Sequence, residues 1–280
     1  MNAESFAEGM THHLLNQGDV KIAVADQGVG RAIVLLPSLG RGAQDFAEFA
    51  GLLVARGFRV VLPQPRGIAP SEGPLANLTM ADLAGDVALV IEQLDLAPAV
   101  VAGHAFGNFV ARMLATIRPE LVAGVAMLAG SAGMLPSGES PYDPAVLGAL
   151  ARCADSTLDE DSRIAALKTA FFAPESDCRI WLDGWYPDVK AAQRAADQAT
   201  AVSTYFAAGS APILEVQADR DTIAAPRFAH ILKEQLGDRV TTVVIHGAGH
   251  ALIPERPAET AALLAGWAAR LDDGPGSISR

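Results

Sequence analysis

The chain has 280 residues, 50% of them hydrophobic and 19% charged, which is enough apolar surface for one large core and excludes disorder as the main state. Its 21 Lys and Arg against 32 Asp and Glu leave a net charge of −11 with no basic cluster, so no nucleic-acid or anionic-membrane partner is expected. The longest apolar runs, such as Ala32 to Pro37, are too short for a bilayer, and the first residues lack a basic-then-apolar leader pattern; the expectation is a soluble cytoplasmic protein.

In chain order, His12 to Asn16 and Val20 to Ala25, joined by Gln17-Gly18-Asp19, read as an opening hairpin. Ala32 to Pro37 is a continuous apolar run suited to a central strand. Ala43 to Arg56 follows as a helix closed by Gly57, then Phe58 to Pro63 as a strand and Gln64 to Pro74 as a turn-rich stretch. Thr79 with Asp82 three residues on has the form of a capping box, opening a helix to about Leu94. Ala99 to Gly103 and Val122 to Leu128 are strands flanking a helix from Phe106 to Ile117. Pro212 to Ala218 and Val240 to His246 are the last strands, with one helix between them and another from Ala258 to Leu271; the tail after it is expected to fray.

This alternation of short β-branched runs with Ala/Leu stretches predicts an α/β fold, a mostly parallel sheet with helices on both faces. The segment from Met134 to Gly209 breaks the rhythm. It contains no strand candidate and holds eight of the 16 aromatic residues: Tyr142, Phe171, Phe172, Trp181, Trp185, Tyr186, Tyr205 and Phe206. It reads as a helical lid inserted in a core made of residues 1–133 and 210–280. Most of these rings pack the lid onto the sheet, and some are candidates to line an apolar pocket.

Val100-Val101-Ala102-Gly103-His104-Ala105-Phe106-Gly107-Asn108 reads as a strand, a tight turn and a helix start, with glycine two residues either side of the centre. Larger flanking side chains would collide with the adjoining strand and helix if the central residue is held on a strained bend. The pattern resembles the nucleophile elbow, G-x-S-x-G, of the α/β-hydrolases, with Ala105 where that family carries serine. The resemblance extends over residues 12–271 and implies the α/β-hydrolase fold with a lid. By the same resemblance, Asp221, after Pro212 to Ala218, aligns with the family's acid, and His250, after Gly247-Ala248-Gly249, aligns with its base. Asp219 is the alternative acid. His246, in the last strand, reads as structural.

The resemblance further implies an oxyanion hole from the backbone amides of Leu39 and Phe106, although Pro37-Ser38 stands where many members have His-Gly. Ser38, His104, Trp181, Trp185 and Phe172 are the remaining candidates for substrate contact. Pro63 to Ser71 resembles the family's Asp-x-x-Gly-x-Gly-x-Ser turn, with Gln64 and Ala69 as departures and Arg66 as a turn-stapling group. Alanine at 105 is either encoded or a replacement of serine. The first origin implies a His/Asp dyad acting on an apolar small molecule without a side-chain nucleophile, or a binding protein without turnover; the second implies an engineered serine hydrolase. Neither a glycine-rich phosphate loop nor histidines at ligand spacing occur, so no metal or nucleotide cofactor is expected. Cys153 and Cys178 read as two reduced thiols. The partner is a small molecule, and a homodimer is compatible with this reading.

Overall fold

The computed structural model describes residues 7–135 and 143–271. Tyr142 and the tail after Leu271 lie outside the described residues. The chain opens with a hairpin of β1 (Thr11–Gln17) and β2 (Val20–Gln27), with Gln17 opposite Val20. Its loop is therefore Gly18-Asp19, one residue shorter than the expected connection, and Gly18 takes a left-handed φ of 61°.

The remaining strands are β3 (Ala32–Leu36), β4 (Arg59–Pro63), β5 (Ala99–His104), β6 (Val122–Leu128), β7 (Ile213–Ala218) and β8 (Val240–Ile245). All eight form one sheet in the order β1-β2-β4-β3-β5-β6-β7-β8, parallel from β4 to β8, with β1 and β2 antiparallel. β3, β5 and β7 are buried at every position, whereas the edge strand β1 is mostly exposed. Helices cover both faces of the central strands, which accounts for their unbroken apolar runs.

On the chain between the strands lie α1 (Ala47–Val54), α2 (Met80–Gln93), α3 (Gly107–Ile117), α4 (Pro144–Arg152), α5 (Glu160–Ala170), α6 (Pro187–Ala199), α7 (His230–Leu236), α8 (Leu252–Glu255) and α9 (Pro257–Ala268). α2 starts at the expected capping box: Thr79 Oγ1 accepts from the Asp82 amide and Asp82 accepts from the Thr79 amide, an arrangement that stabilises a helix start by about 1 kcal/mol. The helix expected from Ala43 instead begins as a 3-10 turn over Ala43–Phe46, because Gln64 Oε1 takes the Ala43 amide at 2.8 Å and holds the entry to the turn. Alternation along the strands divides the core. Val34, Leu36, Ala99 and Val101 pack with α2 and α3, while Ile33, Leu35, Val100 and Ala102 face α1 and α9.

The turn after β4 keeps its shape despite its departures. Gln64 bridges Ala43 and Ala69, Ser71 Oγ donates to Gln64 O and accepts the Ala23 amide, and Arg66 forms a two-pronged pair with Asp86. Glu215, on β7 and 1% exposed, accepts from Gln217 Nε2 at 2.8 Å and Thr242 Oγ1 at 3.0 Å; burial pushes its carboxyl pKa up to about 7.

Residues 143–209, between β6 and β7, contain α4 to α6 and no strand. One buried arginine fastens them to the core. The guanidinium of Arg41, 1% exposed, donates to both Asp45 oxygens at 2.8 and 2.6 Å and to Asp183 O at 2.7 Å. Its Cζ lies 4.7 Å from the Trp181 ring and 4.6 Å from that of Trp185. The Gly40 amide donates to Gln193 Oε1, and its carbonyl accepts the Tyr186 amide.

Candidate active site

The parallel strands end along one edge of the sheet, and the loops leaving that edge build the site. At the end of β5, Ala105 sits at φ 48°, a left-handed conformation that costs a non-glycine residue roughly 1 kcal/mol. Its neighbours enforce it. A Cβ on Gly103 would lie 2.1 Å from the carbonyl carbon of Gly107, and one on Gly107 would lie 2.3 Å from Leu36 O. Only glycine fits at either place, so strand, turn and helix approach more closely than side chains permit. The Ala105 amide donates to Leu128 O at 3.0 Å, and Asn108 Nδ2 donates to Ala105 O at 2.5 Å. The bend is therefore pinned on both sides.

His250 follows β8 and is 3% exposed. Its Nδ1 stands 3.1 and 2.9 Å from the two oxygens of Asp221, which is itself buried and accepts the amides of Ile223 and Ala224 at 2.7 and 2.8 Å. A carboxylate only accepts, so Nδ1 is a donor, and in the neutral ring Nε2 then carries the lone pair. Nε2 has no hydrogen-bond partner among the described residues. Asp219, the alternative acid, lies elsewhere: it takes His246 Nδ1 at 3.0 Å and the Gly247 amide at 2.8 Å. His246 lies one residue beyond β8 and is exposed, not the structural strand residue expected, because the turn at Gly247 directs it outward.

The loop bearing His250 is held on three sides. His104 Nε2 donates to His250 O at 2.8 Å, Gly249 donates to Glu255 at 2.7 Å, and Ala251 donates to Phe171 O at 2.8 Å. Complete burial and the nearby His250 lower the His104 pKa to about 3, keeping that ring neutral at physiological pH.

Ala105, Ser38, Leu39, Phe106, Ala129 and His250 form the sheet side of a cavity of about 160 Å³, and Leu150, Phe171, Trp185, Lys190, Arg194 and Asp197 form its roof. A second cavity of about 180 Å³ adjoins it, sharing Phe109, Ser131, Asp197, Ile223 and Ala224. The amides of Leu39 and Phe106 donate to no protein acceptor among the described residues. Of the expected contact residues, Ser38 and Trp185 reach the first cavity, whereas His104, Trp181 and Phe172 do not line it. Trp181 packs edge-on against Phe171 and Phe172, both at 5.3 Å, and lies 5.9 Å from His104, so these rings form the layer behind the wall.

Phe171, one of the inserted aromatics expected to include pocket-lining rings, reaches the cavity, whereas Lys190, Arg194 and Asp197 carry no such expectation from sequence. These three fall at i, i+4 and i+7 along α6 and so share a helix face, which is a readable signal once that helix is known to cover the site. Cys153 and Cys178 are both free and buried. Among the described residues, no group of three or more His, Cys, Asp or Glu could hold a metal ion, and no helix is long and apolar enough to cross a membrane.

A largely parallel eight-stranded sheet, a strained turn after its fifth strand and a histidine after its last define the α/β-hydrolase class. The Alpha/beta hydrolase family model matches residues 33–263, and the chain belongs to that family. It is similar to the proposed non-heme bromoperoxidase BpoC of Mycobacterium tuberculosis, with 31% identity over 111 residues, 39% of this chain and 42% of that protein. It is also similar to the soluble epoxide hydrolase of a Corynebacterium species, with 27% identity over 140 residues, 49% of this chain and 48% of that one. These alignments span less than half the length of either relative. The esterase EaEST of Exiguobacterium antarcticum superposes with a TM-score of 0.78 at 18% identity, over 92% of this chain and 100% of that one, a likeness of fold.

Proposed function

We propose that the protein is an enzyme of the α/β-hydrolase fold that acts on an apolar small molecule through a general base, His250 oriented by Asp221, with no side-chain nucleophile at position 105. The observation that carries this reading is the unpartnered Nε2 of a histidine on the cavity wall whose other nitrogen is held by both oxygens of a buried carboxylate. A dyad so arranged takes a proton onto Nε2 and offsets the resulting imidazolium charge with Asp221. The methyl group of Ala105 leaves room for substrate or water where the family's hydroxyl would stand.

Negative charge that develops on the substrate as its proton leaves falls within reach of the unpaired amides of Leu39 and Phe106. One such donor contributes about 10² to 10³ in rate, and general-base action about 10² to 10⁴. The esterase and epoxide hydrolase among the similar proteins favour a small organic substrate.

The test uses 5-nitrobenzisoxazole, whose ring opens when a base removes its carbon-bound proton: the C–H pair moves into the ring, the N–O bond breaks and the charge ends on oxygen. The wild-type protein is expected to open it about 10²-fold faster than free imidazole at equal concentration. His250→Ala should abolish that rate and Asp221→Asn should lower it. A folded His250→Ala protein retaining the wild-type rate overturns the proposal.

A further inference from the structure

Arg41, Arg59 and Arg66 have carboxylate partners, Asp45 at 2.6 Å, Asp26 at 2.7 Å and Asp86 at 2.5 Å, whereas the buried Arg112 donates to the carbonyls of Ser131, Ala132 and Phe206. Two further cations line the cavity, half-buried Lys190 and exposed Arg194. Lys190 and Arg194 are one helical turn apart on α6, both line the first cavity, and neither forms an ion pair among the described residues. Lys190 Nζ donates only to Leu150 O, at 3.3 Å, and stands 5.8 Å from the Trp185 ring. Arg194 makes no hydrogen bond among the described residues.

Like charges at i and i+4 repel, and a net charge of −11 supplies ample acids elsewhere that could have neutralised them. The acid on this wall, Asp197, is half-buried, accepts the Tyr205 hydroxyl at 3.3 Å and lies three residues from Arg194; burial raises its pKa, and the Tyr205 hydrogen bond and the Arg194 charge act against that rise. Leu150, Phe171 and Trp185 line the same cavity. Its wall therefore combines two cations that form no ion pair among the described residues, an apolar surface, and Ala105 with His250.

We propose that the cavity binds small organic carboxylates, with the carboxylate at Lys190 and Arg194 and the apolar body directed toward Ala105. A guanidinium fork and an ammonium suit a planar carboxylate, and a cationic mouth in a low-dielectric wall concentrates anions near it. The proposal deepens the functional reading by naming the substrate class of the same cavity, and it is tested without proton abstraction from a substrate.

Ala105→Cys places a thiol at the elbow, where its sulfur displaces iodide from either iodoacetate or the nearly isosteric, neutral iodoacetamide. The rate ratio of anionic to neutral reagent is read at position 105 by peptide mass spectrometry and referenced to free cysteine. The expected ratio exceeds that of free cysteine about tenfold. It should fall toward the free-cysteine value when Lys190→Met and Arg194→Met are added, and in 1 M salt, where the screening length is about 3 Å. Lys190→Arg with Arg194→Lys should preserve it. The iodoacetamide rate reports an intact, accessible site in each variant. A ratio no higher than that of free cysteine, or a raised ratio that survives the double methionine change, overturns the proposal. Neither result bears on the benzisoxazole assay, and failure of that assay leaves this one standing.

Discussion

Ala105→Ser adds one oxygen to a bend that the backbone already holds. The φ of 48° is set by Gly103 and Gly107, and serine bears the same strain there as alanine, so folding stability should change by less than about 1 kcal/mol and the melting temperature by only about 2 °C. Reactivity should change far more. In serine proteases, loss of the nucleophile costs about 10⁶ in turnover, and the oxyanion donors and binding then leave about 10³ to 10⁴ over the uncatalysed rate. Here the His250 ring is fixed by Asp221 at 2.9 and 3.1 Å, and among the described residues neither its Nε2 nor the amides of Leu39 and Phe106 have a partner. The introduced hydroxyl should therefore be labelled by an alkyl fluorophosphonate at least about 10³-fold faster than the unmodified chain, read as a mass increase of the intact protein. Adding Asp221→Asn should return that rate to near that of the unmodified chain, because the ring loses the partner that sets its tautomer. A folded Ala105→Ser protein that labels no faster than the parent would refute the reasoning and show that hydroxyl, imidazole and amides are not aligned.

Two further outcomes follow from the packing. Glu215 holds its proton to about pH 7 in the folded state and releases it near 4.5 when unfolded, so its contribution to stability is complete below pH 4.5 and is lost as pH rises toward 7. Glu215→Gln should reduce the fall in urea-unfolding free energy between pH 4.5 and 7.5 by on the order of 3 kcal/mol relative to wild type; an unchanged fall contradicts this. Burial of neutral His104 imposes the opposite slope between pH 6.5 and about 3, which the difference between the two proteins cancels. Gly107→Ala places a methyl group 2.3 Å from Leu36 O and 2.9 Å from Pro37 O, both backbone atoms, and should destabilise the protein by about 3 kcal/mol. Gly51→Ala on α1 meets nothing within 4 Å and should stabilise by about 0.5 to 1 kcal/mol, so equal urea midpoints for the two variants would undo the close-approach argument.

What the sequence made legible was what short-range chemistry dictates. Thr79 with Asp82, the glycines around Ala105 and the apolar runs of β3 and β5 each announce their geometry within a few residues. The roof of the cavity was not legible in the same way. Phe171 and Phe172 are adjacent in the chain, alike in chemistry and both packed on Trp181, yet only Phe171 also lines the cavity, a choice made by tertiary packing. Asp219 and Asp221 posed the same difficulty. One residue, Arg220, separates them, and the amides of Ile223 and Ala224 draw Asp221 inward while the turn at Gly247 takes Asp219. Arg41 has one local partner, Asp45 four residues on, but Asp183, Trp181 and Trp185 are brought to it only by the fold.

That arginine constrains how molecules enter. Arg41 and Asp45 belong to the core, so raising the inserted helices at this end would leave their ion pair in place but strip the guanidinium of two tryptophan faces and the Asp183 carbonyl. Desolvated stacking of this kind is worth about 2 kcal/mol and a hydrogen bond from a charged donor about 1.5 to 3. At about 4 kcal/mol, fewer than about one molecule in several hundred would have this end detached at any moment. Traffic is then cheapest through gaps between side chains under a roof that stays down, and exchange rates should follow the breadth of a ligand more closely than its length.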